Sequence, residues 1–318
     1  MRDVSNKVTI IGAGSVGATI AYTLVTGGVA SDIVMIDIKG AKSLGEALDI
    51  RQGIPFCSPS KIHAGSYQDA KDSDIVILTS GVARMPGQSR LDLAQTNVNI
   101  TKSIIPEIMK YAPDAIYIIV SNPVDILTYQ FSKTTGFVDG RVFGSGTILD
   151  TARLRSRLSE YYNISQSNVH AYVFGEHGDS SFVPWSLANI ANIEIDSYAA
   201  SISRNIGSAP ELIHEEVETY IRQSGGKIIE RKGATFYAVA ASVCHICRSI
   251  FGGADTPMTV STLLNGEYGI HDVALSILTV VGRTGIKDKL LAPLTLEEEA
   301  KLRYSAESLK QAISQIQF

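Results

Sequence analysis

The sequence predicts an α/β fold in which a doubly wound parallel sheet is followed by an α+β domain. In the first half, short β-branched runs alternate with helical stretches, which is the pattern of a parallel sheet covered on both faces. In the second half, helical stretches over 211–224 and 233–251 precede two apolar runs around Asn265-Gly266, a pair typical of a hairpin turn. Because the composition shifts near residue 145, we expect one domain over 1–144 and a second over 145–318, packed closely together.

The remaining elements follow from apolar periodicity and from glycine and proline positions. A helix is expected from Leu91 towards Tyr111, kinked or interrupted at Pro106, and the chain before Pro123 should be extended or turning. The other expected elements are helices over 41–52, 148–162 and 297–315 and strands over 61–64, 75–79, 115–120, 141–143 and 169–174.

Composition excludes several classes of protein. The 318 residues are 45% hydrophobic and 19% charged, as in ordinary globular chains, and the net charge of −4 indicates no nucleic-acid or anionic-membrane surface. No apolar run reaches the ~18 residues of a membrane span, and residues 1–7 lack the apolar core of a signal peptide. We therefore expect a cytoplasmic protein.

The three cysteines suit a reducing compartment. Cys244 and Cys247 have the spacing of a redox or metal pair, but they lie inside a helical apolar run with no second ligand pair nearby. We expect them to be core residues and expect no metal site.

A glycine turn near the start of the chain carries the first functional signal. Gly12-Ala13-Gly14-Ser15-Val16-Gly17 lies between a strand and a helix, and Asp37 follows Gly17 by 20 residues, at the end of the next strand. Gly12 permits the tight turn, Gly14 admits a pyrophosphate, and Gly17 lets the helix pack closely on the strand. Asp37 can accept hydrogen bonds from a ribose diol and would repel a 2′-phosphate. A glycine turn without a ligand is the alternative, but the context predicts a Rossmann domain that binds NAD.

Two residues of the second half are candidates for proton transfer. His177 stands in a glycine-flanked turn directly after the strand over 169–174, and its ordinary pKa suits proton exchange with an alcohol or carbonyl oxygen. Asp150, near the start of a helix, could orient the imidazole and favour its charged form. The alternatives are a structural histidine and a first-turn helix acid.

Two arginines are candidates for holding a substrate. Arg153 lies three residues after Asp150 on the same helix face, where its guanidinium could bind a carboxylate through two hydrogen bonds. Arg90 follows a loop rich in glycine and proline that could close as a lid, so Arg90 could polarise a carbonyl group. Solvated helix arginines are the alternative for both.

These residues stand in segments that together resemble the NAD-dependent L-lactate/L-malate dehydrogenase family, and the resemblance covers essentially the whole chain. It is carried by the glycine turn and by residues 90–93, 120–125, 144–147, 149–153 and 175–180. The resemblance implies that His177 is the proton acceptor, Asp150 its partner, Arg153 the carboxylate anchor and Arg90 the mobile polarising residue.

The resemblance also implies the contacts of the cofactor. Asn122 should contact the substrate oxygen and the nicotinamide side. The positions matching the NAD site are Gly12, Gly14, Val16, Gly17, Asp37, Lys42, Tyr67, Gly81, Val82, Ser103, Val120, Asn122 and Ser145.

The choice between lactate and malate depends on one loop residue. Gly144-Ser145-Gly146-Thr147, Glu176 and Thr235 are lactate-type, whereas Arg84 stands where malate enzymes carry arginine. An unpaired carboxylate in a closed site costs several kcal/mol, so a guanidinium at 84 favours the dicarboxylate oxaloacetate. We expect malate/oxaloacetate chemistry on a lactate dehydrogenase frame, with lactate/pyruvate as the alternative; Thr235 makes the pocket smaller than malate enzymes prefer.

Regulation and assembly rest on the resemblance alone. Arg155 and His170 match positions that bind fructose 1,6-bisphosphate at a subunit interface in many bacterial lactate dehydrogenases, and the family implies a homotetramer or homodimer. A dinucleotide-binding sensor without catalysis is the rival class of function. The joint presence of Arg90, Asp150, Arg153 and His177 argues against it.

Overall fold

The computed structural model describes residues 6–82, 89–137, 140–202 and 212–318, together with the backbone but not the side chain of Arg90. The chain begins with β1 (Lys7–Ile11), α1 (Ser15–Thr26) and β2 (Asp32–Ile36). The two strands pair in parallel, with Ile10 opposite Met35 and Ile11 opposite Ile36. The glycine turn therefore lies at the carboxyl end of β1, where α1 begins.

The rest of the first half extends the same sheet on both sides of β1. Its elements are α2 (Gly40–Gly53), β3 (Lys61–Ala64), β4 (Ile75–Leu78), α3 (Arg90–Met109), β5 (Ile116–Ile119), α4 (Val124–Thr135) and β6 (Val142–Gly144). These six strands are parallel in the order β3-β2-β1-β4-β5-β6. This order confirms the predicted Rossmann topology, and it reverses between β1 and β4, which opens a crevice at their carboxyl ends.

The second half is a mixture of helices and antiparallel strands, as predicted for an α+β unit. Its elements are α5 (Ile148–Tyr162), β7 (Val169–His170), β8 (Asn189–Ile190), β9 (Ile193–Glu194), α6 (Ile195–Ser201), α7 (His214–Lys232), α8 (Tyr237–Gly252), β10 (Thr256–Asn265), β11 (His271–Gly282), β12 (Gly285–Lys289) and α9 (Leu296–Ser314). Strands β7, β8 and β9 form a small separate sheet. Strands β10, β11 and β12 continue the main sheet, joined to β6 where Ser261 lies opposite Gly144.

Three expectations about the elements need correction. The strand expected over 169–174 is regular only as β7, because beyond it Phe174 forms a single bridge with Phe182. The helix expected over 211–224 begins at His214 and extends to Lys232, since its buried side chains pack on the second half despite two glycines; residue 211 lies outside the described residues. Strand β12 was not expected, and α3 runs continuously through Pro106. Within the described ranges, no helix combines the length and apolar character that a membrane crossing requires.

Both faces of the parallel sheet are buried, and the second half contributes side chains to the apolar clusters on both of them. Alternate residues of β1 point to opposite faces, so Val8 and Ile10 join one apolar cluster and Ile11 joins the other. Helix α8 packs against α1 and contributes Val243 and Ile246 to the cluster of Ile10. The two halves therefore share a core, and this fixes the end of the second half that faces the crevice.

The glycine turn provides a matched test of the fold. A Cβ on Gly17 would overlap the carbonyl oxygen of Gly12, whereas a Cβ on Gly14 would meet no heavy atom within 4 Å. We expect Gly17→Ala to lower the free energy of unfolding by roughly 1–3 kcal/mol, because α1 must move away from β1. Gly14→Ala should cost less than about 1 kcal/mol, since only a helix N-cap position changes. Urea unfolding measures both variants, and equal losses would contradict the close packing at Gly17.

Candidate active site

A cavity of about 290 Å³ lies where the carboxyl ends of the parallel strands meet the second half. Its walls come from the α1 start, the segments after β5 and β6, α5, the turn around 177, α7 and the start of α8. The predicted site residues that line it are Val16, Val120, Asn122, Ser145, Asp150, Arg153, His177 and Thr235. The fold thus brings together residues that are up to 219 positions apart in the sequence.

The imidazole of His177 is hydrogen-bonded to the carboxylate of Asp150. His177 Nδ1 lies 2.6 Å from Asp150 Oδ2. Helix α5 is tied to the segment that leads to His177, because the Thr147 hydroxyl donates to the carbonyl of Val173 and the Thr151 hydroxyl accepts the N–H of Val173. With Nδ1 held by the carboxylate, Nε2 is the ring nitrogen left for proton exchange.

The two groups shift each other's pKa. Burial alone would lower the pKa of His177, but the charge and hydrogen bond of Asp150 outweigh it and raise the pKa to about 8; Asp125 adds to this and Arg153 opposes it. Burial would raise the pKa of Asp150, yet His177 and Arg153 hold it below its usual range. At neutral pH the pair is therefore an imidazolium beside a carboxylate, with a proton at Nε2.

The guanidinium of Arg153 shares the same carboxylate. Its Nη1 donates to Asp150 Oδ1 at 2.8 Å, and the side chain is mostly buried in the cavity wall. Asp150 thus holds two cationic side chains, Arg153 from the next turn of α5 and His177 from the turn after β7. The remaining guanidinium nitrogens of Arg153 can bind an anion in the cavity.

A pair of glycines in the middle of α7, which sequence reasoning did not single out, lies over this arginine. Gly225 and Gly226 both line the cavity, and a Cβ on Gly225 would be 3.6 Å from Arg153 Nη2. Glycine inside a helix costs about 1 kcal/mol relative to alanine. The available signal was the pair itself, two helix-destabilising residues in an otherwise regular helix. They leave room beside the guanidinium.

Arg222 also lines the cavity, one turn before the glycines, and was likewise not expected. Its Nη1 donates to the carbonyl of Ser181 at 3.0 Å and to Glu218 at 3.1 Å. Glu218 in turn accepts the indole N–H of Trp185 at 2.9 Å. These bonds attach α7 to the chain that follows His177.

Asn122 is held by a buried amide that sequence reasoning also missed. The side chain of Asn97, on α3, donates to the carbonyl of Asn122 at 2.7 Å and to that of Val82 at 3.2 Å, and it accepts the N–H of Val82 at 2.9 Å. The peptide between Asn122 and Pro123 is cis. One side chain therefore positions both the residue after β5 and the chain after β4.

The end of β1 offers the features that a dinucleotide needs. Gly12 has a φ of +108°, a conformation that favours glycine, and Gly14 leaves open space before the first N–H groups of α1. Asp37 Oδ2 accepts the N–H of Ala13 at 2.7 Å and Oδ1 accepts that of Lys39 at 2.8 Å. Its carboxylate is thereby oriented beside the turn, and the neighbouring Ile38 is a fully exposed apolar side chain. The residues present fit a bound dinucleotide.

The other predicted cofactor residues do not line the cavity described above. Lys42 makes an exposed ion pair with Glu46, and the Ser103 hydroxyl donates to the carbonyl of Ile100. Gly81 packs against Asn97, Val82 is exposed, and Tyr67 is half-buried against the core. Arg84 lies outside the described residues, and so does the side chain of Arg90, which is the first residue of α3.

The two candidate regulatory residues lie near each other, apart from the cavity. Arg155 Nε donates to the carbonyl of Ala171 at 3.1 Å, next to His170, and its guanidinium lies 5.1 Å from the ring centre of Tyr172. His170 is exposed. Arg155 also lines a separate groove of about 480 Å³.

The cysteine pair is structural. Cys244 and Cys247 are buried free thiols in α8, and burial raises the pKa of both. Among the described residues, no group of three or more His, Cys, Asp or Glu side chains could hold a metal ion.

Comparison with known proteins places the chain in a family. Residues 6–144 match the family model described as lactate/malate dehydrogenase, NAD binding domain, and residues 147–317 match that of the lactate/malate dehydrogenase α/β C-terminal domain.

Curated relatives and solved structures agree with these matches. An L-lactate dehydrogenase of Thermoanaerobacter sp. (strain X514) is 48% identical over 98% of this chain and 99% of its own length. L-lactate dehydrogenase 1 of Clostridium acetobutylicum is 45% identical over the same shares. The structure of the minor L-lactate dehydrogenase of Enterococcus mundtii superposes with a TM-score of 0.93 at 35% identity, covering 99% of both chains. The chain therefore belongs to the lactate/malate dehydrogenase family and is an NAD-dependent 2-hydroxy acid dehydrogenase.

Proposed function

We propose that the enzyme interconverts pyruvate and L-lactate, with oxaloacetate and L-malate as the second candidate pair. The observation that carries the proposal is the cluster of His177, Asp150 and Arg153 in one cavity wall. It combines a proton donor with an anion-binding group, which are the two groups that reduction of a 2-keto acid requires. The curated relatives, named L-lactate dehydrogenases, favour the first pair.

His177 carries the proton in this proposal. When bound, NADH supplies a hydride to the carbonyl carbon of the keto acid. The imidazolium Nε2–H gives its proton to the carbonyl oxygen, so that hydride and proton together form the alcohol; in the oxidative direction neutral Nε2 takes the hydroxyl proton. The charge of Asp150 favours the imidazolium and keeps its ring oriented.

Arg153 anchors the substrate carboxylate in this proposal. Its guanidinium is already oriented by Asp150, so little side-chain entropy is lost on binding. We assign Asn122 and Thr235 to the substrate wall and Arg90 to polarisation of the carbonyl. The glycine turn and Asp37 hold the dinucleotide, together with Lys42, Tyr67, Gly81, Val82, Ser103, Val120 and Ser145.

The expectation of malate chemistry rested on Arg84 and is retained as the second candidate. A guanidinium at position 84 in a closed site would pair with the distal carboxylate of oxaloacetate. For pyruvate to be the better substrate, this long side chain must turn to solvent when the substrate is a monocarboxylate.

Reduction of the keto acid should follow the protonation of His177. We expect kcat/KM for reduction to be level below pH 8 and to fall above it, whereas kcat/KM for oxidation rises through the same pH, because the pKa of His177 is about 8. In Asp150→Asn, burial and Arg153 still lower the pKa of His177 and together outweigh the remaining charge of Asp125, because burial is the largest single influence; the pKa should therefore fall below the ordinary histidine value. Reduction at pH 7.5 should then drop at least tenfold. If the pH dependences of kcat/KM for reduction and oxidation are the same in this variant as in the parent, the role of Asp150 is contradicted.

The same pair makes stability depend on pH. The folded-state pKa of His177 is raised above the unfolded value of 6.5, so its contribution is fully present below pH 6.5 and is lost as the pH rises through 8. The raised pKa corresponds to about 2 kcal/mol. The unfolding free energy of the parent should fall by about this amount relative to His177→Gln across that interval.

Substrate preference is tested with two keto acids and one loop variant. We expect kcat/KM with NADH to be at least tenfold higher for pyruvate than for oxaloacetate. Arg84→Gln should raise the ratio further, because it removes a cation that only a second carboxylate can pair. Arg157→Gln, an exposed arginine of α5 paired with Glu160, serves as the matched control and should leave the ratio unchanged. Preference for oxaloacetate in the parent, reversed in Arg84→Gln, would reject the first pair and support the second.

We also propose that Arg155 and His170 bind fructose 1,6-bisphosphate between subunits of a homotetramer or homodimer. Support comes from the bond that places Arg155 beside residue 171 and from the exposure of His170. The sugar bisphosphate should lower the pyruvate concentration at half-maximal rate in the parent but not in Arg155→Gln, since a phosphate would lose its guanidinium partner. Identical saturation curves with and without the effector would reject this proposal.

A further inference from the structure

A second buried carboxylate lies beside His177 and is not used by the mechanism above. Asp125, in the first turn of α4, is 3% exposed, and its Oδ2 accepts the main-chain N–H of His177 at 2.8 Å. Asp150 thus binds the ring of His177 while Asp125 binds its backbone. The two carboxylates come from different helices, one from each half of the chain.

The second oxygen of the Asp125 carboxylate, Oδ1, lacks a well-formed hydrogen bond among the described residues. The hydroxyl of Ser261, on β10, faces it and favours its charged form, although neither Asp125 Oδ1 nor Ser261 Oγ has a well-formed hydrogen bond among the described residues. Burial raises the pKa of Asp125 to about 6. An ionised acid in such a place costs stability.

Asparagine would meet the structural needs of this position better than aspartate does. Its amide oxygen would accept the His177 N–H, and its amide nitrogen could donate to Ser261 Oγ, which lacks a partner among the described residues. A helix N-terminus favours an acid by up to about 2 kcal/mol in partly buried sites, which is less than the several kcal/mol that burial of an ion costs. The backbone bond and the helix N-terminus therefore do not account for a charge at this position, and the group that the charge can stabilise is the neighbouring imidazolium.

We propose that Asp125 is a positioning residue whose negative charge, together with that of Asp150, keeps His177 protonated for transfer to the keto acid. This inference rests on the proposed function for its catalytic meaning. The effect of the Asp125 charge on the protonation of His177 does not depend on which keto acid is the substrate.

The charges around the imidazole support this assignment. Asp150 and Asp125 favour the imidazolium, whereas Arg153 opposes it. Glu176, the residue before His177, raises the pKa of Asp125 through its negative charge. Because Asp125 titrates at about 6 and His177 at about 8, there is an interval in which the acid is charged while the imidazole still holds its proton. Neutral pH lies inside this interval.

The test is Asp125→Asn, which keeps the backbone hydrogen bond and removes the charge. We expect the midpoint of the His177 titration, followed by NMR of the imidazole in the enzyme without cofactor, to fall by about one pH unit. The alkaline limb of pyruvate reduction and the acid limb of lactate oxidation should move down together by the same amount. A purely structural role would lower the rate at every pH without moving either limb.

Two further variants complete the test. Because the coupling is reciprocal, His177→Gln removes a cation that lowers the pKa of Asp125, so the Asp125 midpoint, followed by carbon NMR of its carboxyl group, should rise by about one pH unit. Asp288→Asn, at an exposed acid on β12, makes the same change in net charge as Asp125→Asn and should leave the His177 midpoint unchanged. Asp125→Asn should unfold at no lower temperature than the parent at pH 7.5; if it fails to fold, His177→Gln decides.

The outcomes separate this inference from the proposed function. An unmoved His177 midpoint in folded Asp125→Asn, or an unmoved Asp125 midpoint in His177→Gln if the first variant does not fold, overturns the role of Asp125. If the parent reduces no 2-keto acid, the proposed function fails, whereas the NMR titration still measures the effect of Asp125 on His177.

Discussion

The site depends on one shared carboxylate. Asp150 is buried, and it is stable as an anion there because His177 and Arg153 each contribute a positive charge and a hydrogen bond. Arg153 reaches it from the next turn of the same helix, but His177 arrives from a different segment. The site therefore forms only when α5 and the turn around 177 are held together. Thr147, directly before α5, and Thr151, within it, provide this link by hydrogen bonding to the carbonyl and the N–H of Val173, respectively.

The antiparallel strands of the second half align this link with the parallel sheet. Gly175 forms a bridge with Ser276 on β11, and the Ser276 hydroxyl accepts the N–H of Thr147 at the start of α5. The segment before α5 approaches β10 and β11 closely, and this requires glycine at position 146. Gly146 has a φ of +52°, and a Cβ there would collide with the backbone of β10 and with Ser276. One hairpin thus positions both His177 and Asp150 relative to the crevice where the glycine turn lies.

Local patterns were enough to predict most elements and the residues that approach one another along short stretches. A signal within a few residues marks the glycine turn, the helix that carries Asp150 and Arg153, and the glycine-flanked turn of His177. Asn97, Arg222 and Asp125 have none, because their importance comes from hydrogen bonds to segments 15 to 52 positions away. Strand β12 was missed for a similar reason, since its five residues are ordered by pairing with β11.

Asp150 and Asp125 both lie beside His177, but their different surroundings give the two carboxylates different pKa values and different effects on the imidazole. Asp150 contacts two cations, so its pKa is lowered and its carboxylate is charged at neutral pH. Among the described residues, Asp125 has a backbone N–H as its one well-formed partner, and it is buried, so its pKa is raised towards neutrality. The first therefore orients the imidazole and makes the larger contribution to holding its proton, whereas the second adds a smaller contribution to holding that proton. An apolar residue at 125 would leave the N–H of His177 unpaired, and a neutral acceptor would satisfy it without contributing the charge.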